Sequence, residues 1–139
     1  MDSTFLMPKF VSLLKLINRL QMKNIKRAYW ASTGLLTAMM LMSAGMYFFN
    51  HDTVSEMFAS LGFPTYIIYP LGIAKILGLV AIWTEKSKAL KEWAYAGFFF
   101  DFLLAASAHI VVNDGEFAGA LVAMVLLFTS YFTWKKLAQ

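Results

Sequence analysis

The chain has 139 residues, 60% hydrophobic and only 14% charged, with a formal net charge of +4 and no cysteine. A water-soluble domain averages about 45–50% apolar and about 25% charged residues, so this balance argues against an ordinary soluble fold. The lack of cysteine excludes disulfide relay chemistry, thiolate nucleophiles and cysteine-ligated metal clusters within the chain.

The apolar residues fall into four blocks, 28–49, 65–83, 93–112 and 117–134. Each is close to the about 20 residues needed to cross a hydrocarbon core, which predicts an all-α, integral membrane four-helix bundle forming one domain over 28–139. Before it, residues 1–27 form a basic segment. Phe10, Leu13, Leu14, Ile17 and Leu20 make an apolar stripe at helical spacing, with Lys9, Lys15, Arg19 and Lys23 mostly elsewhere. This pattern predicts an amphipathic surface helix over 8–27 on an anionic leaflet, with Pro8 in its first turn. The first apolar block is too long for a signal-peptide core and lacks a clear cleavage site, so it is expected to be a retained span.

Between the first two blocks, Thr53-Val54-Ser55-Glu56 has capping-box form, and Val54, Phe58 and Leu61 share one helical face. A short interfacial helix ending at Gly62 is predicted. The link Thr84–Glu92 is a short basic turn in which Ser87 is placed to cap the next helix. The last link, Asn113-Asp114-Gly115, has strong turn chemistry. Such short links predict antiparallel neighbours.

Charge sets the orientation. Eleven of the twelve Lys and Arg lie before the first block, between the second and third, or after the fourth, while the other links carry only Asp52, Glu56, Asp114 and Glu116. The positive-inside rule then puts both termini in the cytoplasm, in a bacterial inner membrane. Trp30, Trp83, Trp93 and Trp134 all fall at the same, inner interface by this count, where an indole ring is favoured. The basic charge is thus explained by topology rather than by nucleic acid.

The exceptional base is Lys75, inside the second block, and Asp101 lies inside the third. A charge near the bilayer centre costs about 2.5–3.5 kcal/mol on insertion scales. Each lies eight residues from a flanking tryptophan, Trp83 or Trp93. At about 1.5 Å per residue both sit about 12 Å above the inner boundary. Equal depth on sequential helices predicts a Lys75–Asp101 pair. Gly72 and Gly78 flank Lys75 and are expected to let another backbone approach. The pair has two readings, an ion pair that sets helix register or a polar pocket for a headgroup, an anion or a proton.

His109 lies two turns beyond Asp101 towards the outer face, with Ala105 and Ala108 between, and His51 ends the first block. His109 is expected to supply an outer-side hydrogen bond or to extend a proton path from Asp101. A haem held by His51 and His109 has no other support in the sequence. Phe98, Phe99 and Phe100, with Tyr47, Tyr66 and Tyr69, are candidates to line a flat apolar site, although packing accounts for most membrane aromatics. The nine methionines read as core filler. There is no phosphate loop, metal-ligand cluster or nucleophile–base arrangement, which argues against autonomous catalysis.

Several motifs resemble the DoxX-like family of small four-span membrane proteins. They are Leu61-Gly62-Phe63-Pro64 with Tyr66, the run Leu71–Gly78 around Lys75, the run Lys91–Gly97, Ser107-Ala108-His109 and Ser130-Tyr131. The resemblance covers about residues 28–137, and the block Lys91–Gly97 is its most specific part. Lys75 and His109 match the pattern. Members often carry a further polar residue near the end of the first span, where this chain reads Gly45-Met46-Tyr47-Phe48. The wider DoxX/DoxD group is similar to the membrane subunit of a thiosulfate:quinone oxidoreductase, which implies a quinone as the cofactor or substrate to consider.

Three functions follow as expectations. The first is a noncatalytic protein that binds a small amphipathic ligand or a partner subunit, either a different membrane protein or a second copy, at Lys75, Asp101 and His109. The second is a membrane subunit of a quinone-linked oxidoreductase, and the third a transporter of a small solute or of protons.

Overall fold

Long apolar runs with few breakers become five α-helices in the computed structural model, which describes residues 3–139. They are α1 (Ser3–Phe49), α2 (His51–Ser60), α3 (Ile68–Thr84), α4 (Lys88–Val112) and α5 (Ala118–Leu137), with a 3-10 turn at Thr65–Ile67. Four of them, α1, α3, α4 and α5, are long and apolar enough to cross a membrane. The molecule is a multi-pass membrane protein whose helices meet lipid. No strand occurs among the described residues.

In cross-section α1 touches α3 and α5, and α4 touches α3 and α5, so the four close into a ring with α1 diagonal to α4. Neighbours run antiparallel. Along α3 and α4, Gly78 lies against Phe98, Lys75 meets Asp101, and Glu85 just beyond α3 meets Lys91. Each helix turns one strip inward at steps of three and four residues. On α3 the strip is Ile68, Gly72, Lys75, Leu79 and Ile82, and on α4 it is Lys91, Tyr95, Phe98 and Phe102, ending in Ala106 and Ala108. The outer faces are just as apolar, with Leu35, Leu77, Val80, Leu104, Val125 and Phe132 exposed.

Hydroxyls tie three of these helices together at their buried strips. Ser130 Oγ lies 2.6 Å from Thr33 Oγ1 and 2.7 Å from the Tyr95 hydroxyl, joining α5 to α1 and α4. In a bundle where lipid and core are equally apolar, such interhelical bonds help to define the contact.

Several local expectations need correction. The basic segment and the first span form one continuous helix, so no separate element covers 8–27. Pro8 therefore sits inside the helix rather than in its first turn. At about 1.5 Å per residue α1 is about 70 Å long, more than twice the hydrocarbon thickness of about 30 Å. Residues 5–24 are exposed. The helix after the first span starts at His51, with Asn50 at its N-cap and no side-chain cap, so the capping box at Thr53 is unused. Its end is as expected, with Gly62 at φ +82°. α4 begins at Lys88, a turn before Trp93, because Ser87 Oγ accepts the Leu90 N–H at 3.3 Å. Trp134 turns inward rather than towards lipid, 8% exposed and stacked on Tyr95.

Gly72 and Gly78 serve aromatic rings rather than a neighbouring backbone. A Cβ at Gly72 would lie 3.0 Å from the Phe48 ring, and one at Gly78 would lie 2.9 Å from the ring of Phe98. Both rings fill space that a side chain on α3 would otherwise occupy.

Candidate ligand site within the helix bundle

Lys75 on α3 and Asp101 on α4 meet with Nζ 2.6 Å from Oδ2. The antiparallel contact of two helices connected by a short turn brings residues of equal depth together, which is why the tryptophan count could anticipate it. The lysine is the more enclosed partner, its side chain 7% exposed against 19% for the aspartate. Its ammonium also lies 5.1 Å from the centre of the Tyr47 ring, whose face carries partial negative charge. Asp101 Oδ1 has no protein partner among the described residues.

Asp101 stands between two cavities of about 330 Å³ each. Tyr47, Met57, Asp101, Ala105 and His109 line both. The first cavity adds Lys75, Ser43 and Glu116, together with Met39, Met40, Met42 and Met46. With Met57, five of the nine methionines therefore surround one space. Thioether chains are flexible and polarizable, so such a lining adapts to the shape of an apolar guest. The second cavity is walled by Phe58, Phe63, Phe100, Leu61, Ile67 and Leu71.

His109 holds the end of both cavities nearest the α4–α5 turn. Its Nδ1 lies 2.8 Å from Asp114 Oδ2, across the left-handed C-cap at Asn113. In the neutral ring the carboxylate demands the proton on Nδ1, which leaves Nε2 as an acceptor. Asp114 also accepts the Glu116 backbone N–H at 2.9 Å. That bond first, and the His109 ring second, hold the Asp114 carboxyl below the usual aspartate range. A depressed folded-state pKa stabilises above the ordinary value and is lost as pH falls through the folded one. The melting temperature of Asp114→Asn should therefore lie below that of the parent at neutral pH, and the gap should close below about pH 4. A gap that stays constant down to strongly acid solution would contradict the pairing.

Other sequence candidates lie elsewhere. Tyr66 is 78% exposed on the 3-10 turn, and Tyr69 stacks face to face on His51 at 4.4 Å, so neither lines the two cavities. Gly72 and Gly78 are also absent from the lining, covered by Phe48 and Phe98. Phe98, Phe99 and Phe100 fan apart, into the core, its edge and the second cavity. His51 borders neither cavity that His109 lines, so the two histidines do not face one another across a space that would take a porphyrin. Among the described residues no group of three or more His, Asp or Glu is arranged to hold a metal ion.

Lys91 is a second buried lysine, which its position in the sequence does not set apart. It is 1% exposed, with its ammonium 2.7 Å from Glu85 Oε1 and 3.0 Å from the Tyr29 hydroxyl. The rings of Trp134 and Tyr29 lie 4.8 and 5.3 Å from it. Its charge sits next to a basic turn, which disguised it as one more topogenic lysine. Its place one turn before Tyr95, on the strip that continues to Phe98 and Phe102, was the available signal.

The family model for the DoxX-like family matches residues 31–133, which take in Lys75, Lys91, Asp101 and His109. The chain belongs to the DoxX-like family. Comparison with curated proteins and with solved structures gives no match in either case. The DoxX-like match spans both cavities beside Asp101 but stops short of Tyr29 and Trp134, which hold Lys91.

Proposed function

We propose that this DoxX-like membrane protein is a noncatalytic binder of a small amphiphile whose head donates hydrogen bonds, such as a hydroxyl or an amine. The observation that carries this reading is Asp101, with one carboxylate oxygen on Lys75 and the other unpartnered beside two cavities. Glu116 adds a second carboxylate to the first cavity, and His109 lines both. Lys75 is enclosed and neutralised, so the lining favours a donor head over an anion. Methionine and phenylalanine side chains would take the apolar part.

Ala105 lines both cavities, so a large side chain there competes with any guest. Native mass spectrometry of protein extracted from its membrane should show a bound amphiphile, absent from Ala105→Phe. In detergent, a medium-chain amine or alcohol should raise the melting temperature, and the matching carboxylate should not. Retention of the same bound mass by a folded Ala105→Phe variant, with no preference among the three probes, would reject the site.

One observation favours a second reading. The aromatic wall of Phe58, Phe63 and Phe100 suits a flat ring, and a quinol presents two hydroxyl donors to the acceptors described. Quinone in an organic extract of the purified protein, lost in Ala105→Phe, would move the conclusion to a quinone-linked membrane subunit.

A further inference from the structure

At the lysine-rich end of the bundle a third cavity, about 610 Å³, opens between α1, the α3–α4 turn and the end of α5. Lys26, Lys88 and Lys91 line it against the single carboxylate of Glu85. Its walls include Trp30 and Trp134. Lys91 is 1% exposed, yet the carboxylate that neutralises it is 62% exposed. Such a counter-ion is held weakly, because water competes for it. Glu85 reaches Lys91 from a left-handed C-cap at φ 51°. The cavity also meets the first turn of α4 at Ser87 and Lys88, where backbone N–H groups lack helical partners and the helix dipole favours an anion.

We propose that this cavity binds the phosphate headgroup of an anionic amphiphile, and that the phosphate replaces Glu85 on Lys91. Three lysines to one glutamate supply the charge. The aromatic walls suit the glycerol and upper acyl region, and the cavity is far larger than a bare phosphate requires. The site is independent of the Asp101 cavities, which are acceptor-rich and lie deeper in the bundle.

The test titrates the full-length protein, in a neutral detergent, with phosphatidylglycerol, phosphatidylcholine and water-soluble glycerol phosphate, read by native mass spectrometry and thermal shift. Phosphatidylglycerol should bind more tightly than phosphatidylcholine. Lys26→Gln and Lys88→Gln should each weaken it about fivefold, the worth of one lysine near an anionic surface. Glu85→Gln should strengthen it, by removing the competing carboxylate. Lys9→Gln with Lys15→Gln, on the exposed part of α1, should leave it unchanged. Binding of glycerol phosphate as tight as that of the lipid would assign the site to a soluble phosphoester and uphold the phosphate chemistry. The proposal fails if phosphatidylglycerol shows no preference, if the Lys9/Lys15 pair weakens it as much as Lys26/Lys88, or if Glu85→Gln folds and does not gain affinity.

Discussion

Asp101→Asn destabilises the bundle by about 3–5 kcal/mol, and adding Lys75→Met recovers most of that loss. The single change removes the negative charge beside an ammonium enclosed at 7% exposure, leaving it a neutral amide and the Tyr47 ring. The reverse change, Lys75→Met, costs less, because Asp101 is 19% exposed and borders two cavities that water can enter. The expected order is therefore Asp101→Asn worst, Lys75→Met intermediate and the double variant best. Reversible unfolding in mixed micelles measures it as a double-mutant cycle. Interhelical hydrogen bonds between neutral groups in membranes average about 0.6 kcal/mol, with a maximum of about 1.7. A coupling in that range would mean that the contact is not acting as an ion pair, and strict additivity would mean that the two groups do not interact.

The second large effect is an asymmetry at Lys91. Glu85→Ala should cost about 2 kcal/mol, while Lys91→Met should cost under about 1. Losing Glu85 strands a fully buried ammonium on one hydroxyl and two ring faces. Losing the lysine charge returns a carboxylate to water, where it is already 62% exposed, and methionine keeps the shape of the stem. The value for Glu85→Ala is set below the range of about 3–5 kcal/mol for broken buried pairs, because Glu85 is 62% exposed and screened by solvent. Equal costs for both variants would show that the pair behaves as a surface contact. The same asymmetry bears on the phosphate proposal, since an anionic lipid that occupies Lys91 should restore the stability lost in Glu85→Ala.

How much was readable depended on whether a feature rests on distance along the chain or on rotation about a helix axis. The Lys75–Asp101 contact was legible because depth is counted in residues from Trp83 and Trp93, and a short turn leaves the two helices side by side. The turn at Asn113 and the cap at Ser87 were legible because they depend on local chemistry alone. Lys91 was not. Judged by position it belongs with Lys86 and Lys88, and only the rotation of α4 turns it inward while its neighbours face out. The same holds for Ser130, which bonds Thr33 and Tyr95, and for Trp134, whose ring turns inward onto Tyr95.

From the chain alone came four spans, their alternation, the matching heights of Lys75 and Asp101 along neighbouring helices and the family, since hydropathy, turn length and residue counting are all one-dimensional quantities. Only the packed bundle decided which flank of each span faces its neighbours, and with it the cavities beside Asp101 and the enclosure of Lys91. In water an apolar stripe reveals the inward face of a helix. Beside lipid both faces are apolar, so the inward strip is chosen by side-chain fit and by a few polar contacts. Those appear only when the helices are assembled.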